Sequence, residues 1–164
     1  MDKKYKILFV CMGNICRSPI FELVARQQFF QAGLLDYAEF DSAGTHSYHI
    51  GEPPDSRALK AARSRGYTLP ISIARQLNQQ DFTYFDHLFF ADNMNFLFAS
   101  SMCPPDLRYK FSLVLDVLPM FSGQDVPDPY YGGGEGFEHV LDLAEDVANA
   151  LVINLKSQME CFSA

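Results

Sequence analysis

Lys6-Ile7-Leu8-Phe9-Val10-Cys11-Met12-Gly13-Asn14-Ile15-Cys16-Arg17-Ser18-Pro19 is the stretch on which the fold turns. Lys6 to Val10, apolar from Ile7 onward and closed by a turn, has the pattern of a buried strand. Gly13 permits a tight curve, and Asn14 is among the few other residues that tolerate a left-handed backbone. Pro19 stands at a permitted first-turn position of a helical period that runs to Ala32 and stops at Gly33. A strand, a tight loop and a helix in that order let several backbone N–H groups converge at the positive end of the helix. That is an anion-binding concavity.

Outward from this unit, strand and helix patterns alternate. Glu39 to Ser42, His87 to Ala91 and Ser112 to Val117 read as three further strands. Pro54 to Arg65, ending at Gly66, and Asn93 to Ser101, halted by Pro104-Pro105, read as helices. From Gly136 to about Gln158 the residues Val140, Leu143, Ala144, Val147, Leu151 and Leu155 share one helical face. The alternation predicts one α/β domain over 1–164: a four-stranded, twisted parallel sheet with helices on both faces. The phosphate-binding loop lies between strand 1 and helix 1. Ligands of such sheets bind outside the carboxyl ends of the strands, where Cys11, Ser42 and Asp92 would lie.

Composition narrows the function. The 164 residues carry a net charge of −7, which disfavours nucleic acid and membrane surfaces as partners. Met1 to Lys6 is basic, but the apolar run after it is too short for a signal-peptide core, and no run is long enough to span a bilayer. Cysteines at 11, 16, 103 and 161 form neither a zinc pattern nor a secreted disulfide framework, so the expected compartment is the cytoplasm. His46, His49, His87 and His139 are scattered and make a poor metal set; each reads as a surface or loop histidine. No metal or cofactor is expected.

The chemistry follows from the loop. Arg17 can present a planar fork to two oxygens of a bound phosphate. Cys11 aims into the same concavity, where the helix end favours a thiolate ready for in-line attack on phosphorus. A C-x5-R pair alone arises by chance in roughly one chain in six of this composition; the strand, turn, Ser18 and helix around it give it weight. Phosphoryl transfer from a phenolic oxygen also needs an acid near the leaving group. Asp125-Val126-Pro127-Asp128-Pro129-Tyr130-Tyr131-Gly132 offers one in a loop stiffened by prolines. Tyr130 and Tyr131 can stack on an aromatic substrate, with Tyr48 as a facing wall.

Val10 to Pro19 resembles the signature loop of low-molecular-weight protein tyrosine phosphatases, and Asp128-Pro129-Tyr130 resembles their acid loop. Asp41-Ser42-Ala43-Gly44, Pro54-Asp55 with Arg57, Ala74-Arg75, and Ala91-Asp92 with Asn95 are similar landmarks in the same order. The resemblance implies hydrolysis of phosphotyrosine through a phosphocysteine, without metal. It implies Cys11 as nucleophile, Arg17 as phosphate clamp and Asp128 as proton donor and then acceptor. Met12, Gly13, Asn14, Ile15, Cys16 and Ser18 would surround the phosphate, with Tyr48, Tyr130 and Tyr131 around the ring. Ser18 would bond to Cys11, Asn14 to Ser42, and Asp92 would help position the acid loop. Cys16 would be the redox partner of Cys11. The expected partners are phosphotyrosine proteins, the chain itself being a monomer or weak dimer. Ser72 departs from the His that many members carry, so support for the loop must differ there.

Rival readings on this scaffold are weaker. An arsenate reductase needs two further cysteines close together, and Cys103 and Cys161 are far apart. Arginine phosphatases resemble this loop but carry Thr at the position of Ile15. A phosphate-binding module without turnover would be expected to lack the nucleophile or the acid.

Overall fold

The computed structural model describes residues 3–163; Met1 and Asp2, at the head of the basic lead-in, and Ala164 lie outside it. Four parallel strands form one sheet in the order β2-β1-β3-β4. They are β1 (Tyr5–Cys11), β2 (Ala38–Gly44), β3 (His87–Phe90) and β4 (Phe111–Leu113). The helices are α1 (Arg17–Gln31), α2 (Ser56–Ser64), α3 (Gln79–Tyr84), α4 (Asn93–Met102) and α5 (Glu135–Ser163).

Alternation along β1 explains why both faces are covered. Ile7, Phe9 and Cys11 belong to one buried cluster with residues of α1 and α5, while Leu8 and Val10 belong to another with Phe82, Leu88 and Phe90. Successive side chains of a strand point to opposite faces, and a parallel sheet needs both buried. Phe9 centres the first layer, its ring within 5.8 Å of Phe21, 5.9 Å of Phe89 and 6.2 Å of Phe40. Each such aromatic pair adds about 0.5–1.5 kcal/mol to the area it buries.

One local reading needs correction, and one helix was not read at all. The fourth strand stops at Leu113, and Val114–Val117 forms a 3-10 turn instead of extending it. Asp116 causes the turn: its carboxylate accepts from the Leu113 N–H at 3.1 Å and from the Gly123 N–H at 2.8 Å, curling the chain back. Helix α3 had no periodic apolar signal. It rests on a reciprocal cap, in which the Asn78 side chain accepts from the Asp81 N–H and Asp81 accepts from the Asn78 N–H.

Strand order places the site. From the central β1 the chain crosses through α1 to β2 on one side, then resumes at β3 on the other. The crevice between the carboxyl ends of β1 and β3 is the switch point of the sheet. The loop after β1 and Asp92 after β3 meet there.

Candidate active site

Residues 12–16 curl over the end of β2. Asn14 has φ 58°, the one non-glycine residue with positive φ among those described. A Cβ on Gly44 would stand 2.7 Å from the Met12 carbonyl oxygen, so that position has no room for a side chain. The loop's carbonyls are tied outward: those of Cys11, Met12 and Ile15 accept from the N–H groups of Thr45, His46 and Asp55 at 2.9, 3.0 and 2.8 Å. A trans peptide points its N–H opposite its C=O. The N–H groups of Met12, Gly13 and Cys16 are thereby aimed to the inside of the curve.

A buried polar chain holds this shape. The Asn14 amide donates to Ser18 Oγ at 2.7 Å and to Ser42 Oγ at 2.9 Å, and its oxygen accepts from the Arg75 N–H at 3.0 Å. The Ser42 hydroxyl in turn donates to Glu22 Oε1 at 2.7 Å. Ser18 Oγ accepts from Asn14 and stands 3.1 Å from Cys11 Sγ and 3.5 Å from the Ala43 carbonyl, to which it also can donate. When Cys11 reacts as a thiolate, which has no proton to give, the Ser18 hydroxyl is the group placed to donate to it.

Glu22 anchors the far end of this chain and is fully buried. Burial pushes its carboxyl above the usual range, against the pull of Ser42, Ser72 and Arg26. Ser72 Oγ donates to Glu22 Oε2 at 3.0 Å. The position still reaches the network, but with a neutral hydroxyl. A pH-dependent effect follows. The folded value of Glu22 lies above its unfolded one, so its contribution to stability is full at acid pH and lost as pH rises through the folded value. Ser72→Ala removes a bond that favours the carboxylate and lifts that value further. We expect a loss of about 1 kcal/mol, larger at pH 8 than at pH 5. Thermal unfolding at both pH values checks it, and an equal loss at both would show that Ser72 does not act through Glu22.

Arg17 is buried and reaches three groups. Nη1 donates to Asp92 Oδ2 at 2.7 Å and to the Val126 carbonyl at 3.0 Å, and Nη2 stands 3.6 Å from Asp128 Oδ2. Burial works against its charge, but Cys11, Asp92 and Asp128 outweigh it and its pKa is raised. Asp92 also caps α4, accepting from the Asn95 N–H at 2.7 Å. Its link to the loop of Val126 and Asp128 runs through Arg17. A second tie was not read from the sequence: Asp125 accepts from the N–H and the side-chain amide of Asn93 at 2.8 and 2.7 Å.

These groups surround a cavity of about 260 Å³ lined by Cys11, Met12, Gly13, Ile15, Cys16, Arg17, Tyr48, His49, Asp128, Tyr130 and Tyr131. Asn14, Ser18, Ser42 and Asp92 stand behind that lining. Tyr48 and Tyr131 are exposed at the mouth. Tyr130 is held from behind by Arg57, whose guanidinium lies 5.6 Å from its ring and donates to its carbonyl at 3.1 Å. Burial, Asp55, Cys11 and Asp128 push the Cys16 thiol up to about 12. All four cysteines are free.

His49, read from the sequence as an ordinary loop residue, lines the cavity. Its Nδ1 pairs with Glu52 at 2.7 Å, and its Cδ2 would be 3.0 Å from a Cβ on Gly13. Its place beside Tyr48 was the available signal. Among the described residues no group of three or more His, Cys, Asp or Glu side chains is arranged to hold a metal ion, and no helix is long and apolar enough to cross a membrane.

Comparison with known proteins places these features in a family. The model of the low molecular weight phosphotyrosine protein phosphatases matches residues 6–161. A low molecular weight protein-tyrosine-phosphatase of Streptomyces coelicolor is 38% identical, the match covering 95% of this chain and 96% of that one. A crystal structure of a protein tyrosine phosphatase from Entamoeba histolytica superposes with a TM-score of 0.87 at 42% identity, covering 94% of this chain and 98% of that one. Vibrio vulnificus Wzb, solved in complex with benzylphosphonate, gives 0.79 at 27% identity, covering 91% and 97%.

Proposed function

The chain belongs to the low molecular weight phosphotyrosine protein phosphatase family, and from that premise we propose that Cys11, Arg17 and Asp128 carry its hydrolysis of phosphotyrosine. The observation that carries the assignment is that Cys11, with Ser18 Oγ 3.1 Å from its sulfur, lines one cavity together with Arg17 and Asp128. Of the two loop cysteines, Cys16 is held as the thiol at neutral pH, which leaves Cys11 as the nucleophile.

Phosphate oxygens take the inward N–H groups and the fork of Arg17. The Cys11 sulfur forms a bond to phosphorus as the bond to the phenolic oxygen breaks, and Asp128 gives that oxygen its proton. The resulting Asp128 carboxylate then removes a proton from water. The water oxygen attacks phosphorus, the S–P bond breaks and its electron pair returns to sulfur. Inorganic phosphate leaves. Tyr48, Tyr130 and Tyr131 offer ring faces to the aryl group, and benzylphosphonate in the Vibrio relative has that shape. Ile15 in the lining favours an aromatic ring over a guanidinium, which would lose hydrogen bonds there. The substrates are therefore phosphotyrosine proteins, well ahead of phosphoserine or phosphoarginine. Four free cysteines favour a cytoplasmic location; recovery of the protein from an extracytoplasmic fraction would refute it.

The test is metal-free turnover of aryl phosphates of graded leaving ability, with phosphoserine and phosphoarginine alongside. Asp128→Asn should lower kcat on poor leaving groups by roughly 10²–10⁴ and spare the most acidic phenols. Equal losses across the series would make Asp128 structural, and a preference for phosphoarginine would overturn the substrate assignment.

A further inference from the structure

Beyond the cavity, the wall at Tyr48 continues onto α4 as an apolar strip. Tyr48 is 71% exposed, and its ring stacks on His46 with centroids 5.4 Å apart. His46 in turn meets Phe98 at 5.1 Å. Phe98 shares one helical face with Met94 and Leu97, since positions three and four apart are neighbours on a helix. These three side chains are 42%, 75% and 64% exposed. Water-exposed Met, Leu and Phe side by side on one short helix are unusual on a surface with no partner. His46 is fixed from below by a 2.8 Å bond between its Nδ1 and Thr45 Oγ1, so the strip is held in place.

We propose that this strip is a substrate-docking surface, receiving apolar residues that flank the phosphotyrosine of the protein substrate. The proposal rests on the phosphotyrosine reading above. Continuity with the cavity wall identifies the occupant: a chain whose phosphotyrosine fills the cavity must leave it past one of the walls, and Tyr48 is one of them. The two ring-to-ring steps from Tyr48 to Phe98 match about three residues of extended peptide at roughly 3.3 Å each. Charge selects the same partner. The protein carries a net −7, and the strip offers no Lys or Arg to an acidic flank. An apolar flank loses only water on binding.

Two phosphotyrosine peptides test this, one with Leu two and three residues either side of the phosphotyrosine, the other with Ser at those positions. The unmodified protein should favour the Leu peptide by about tenfold in kcat/KM, the worth of one or two buried methylene groups. Phe98→Ser should abolish that preference while turnover of a small aryl phosphate stays within about twofold. Leu97→Gln, at an exposed position that cannot unsettle the core, should act in the same direction. Equal rates on the two peptides with the unmodified protein would overturn the proposal. So would variants that lose aryl phosphate and both peptides in parallel, or sedimentation showing a dimer that Leu97→Gln dissociates, which would make a second copy the occupant. If aryl phosphate itself is not hydrolysed, the phosphatase reading fails first, and that outcome is distinct from the others.

Discussion

Cys11→Ser is expected to abolish turnover of aryl phosphates, a fall on the order of 10⁵–10⁶ in kcat, while inorganic phosphate still binds within a few-fold of its original affinity. The two halves have separate causes. Turnover needs an anionic nucleophile, and sulfur can supply one, with Ser18 Oγ 3.1 Å away and able to donate to it. A serine hydroxyl in the same place has no neighbour able to take its proton: Ser18 is neutral, and Asp128 works at the leaving oxygen on the opposite side of phosphorus. Binding depends on other groups, the inward N–H groups and Arg17, which the substitution leaves in position. Single-turnover kinetics with an aryl phosphate, and calorimetry with phosphate, read the two separately. Substantial turnover by the serine variant would remove Cys11 from the nucleophile's role. Loss of phosphate binding would mean that Cys11 also shapes the loop.

What was legible in the sequence was local. The β1–loop–α1 unit could be read because a four-residue apolar run, a Gly-Asn pair and a proline each force a backbone outcome within a few residues. The Asn14–Ser42 and Ser18–Cys11 bonds followed only from the resemblance, and both are present. Glu22 was invisible: on a helical face it looks like any solvated glutamate, and it is buried because Ser42 and Ser72, 20 and 50 residues further on, fold over it. The Asp125–Asn93 tie and the placement of His49 over Gly13 were hidden for the same reason. Strand β4 was overextended because Val114, Leu115 and Val117 are good strand formers, while the turn is set by one carboxylate accepting N–H groups on both sides of it. Long-range contacts hid the first three, while at β4 a local side-chain bond overrode strand propensity.

Arg17→Lys is expected to lower kcat/KM by about 10³, the scale for losing an oriented donor at a transferring phosphoryl group, and to weaken phosphate binding as well, unlike Cys11→Ser. The guanidinium does two things at once. One nitrogen, bonded to Asp92 and the Val126 carbonyl, joins the end of β3 to the acid loop; the other faces Asp128 across 3.6 Å. With phosphate bound, the planar fork can grip two oxygens while its geometry stays set by the same neighbours. An ammonium is a single point of charge on a flexible stem. It can satisfy Asp92 or the phosphate but cannot hold the angle between them, and leaving Asp92 without its partner loosens the acid loop as well. The Lys variant should therefore lose on good and poor leaving groups alike, because phosphate positioning fails before proton transfer matters. That separates it from Asp128→Asn, whose loss grows as the leaving group worsens. Turnover within tenfold of the unmodified protein, or a loss confined to poor leaving groups, would show that Arg17 serves the acid loop and not the phosphate.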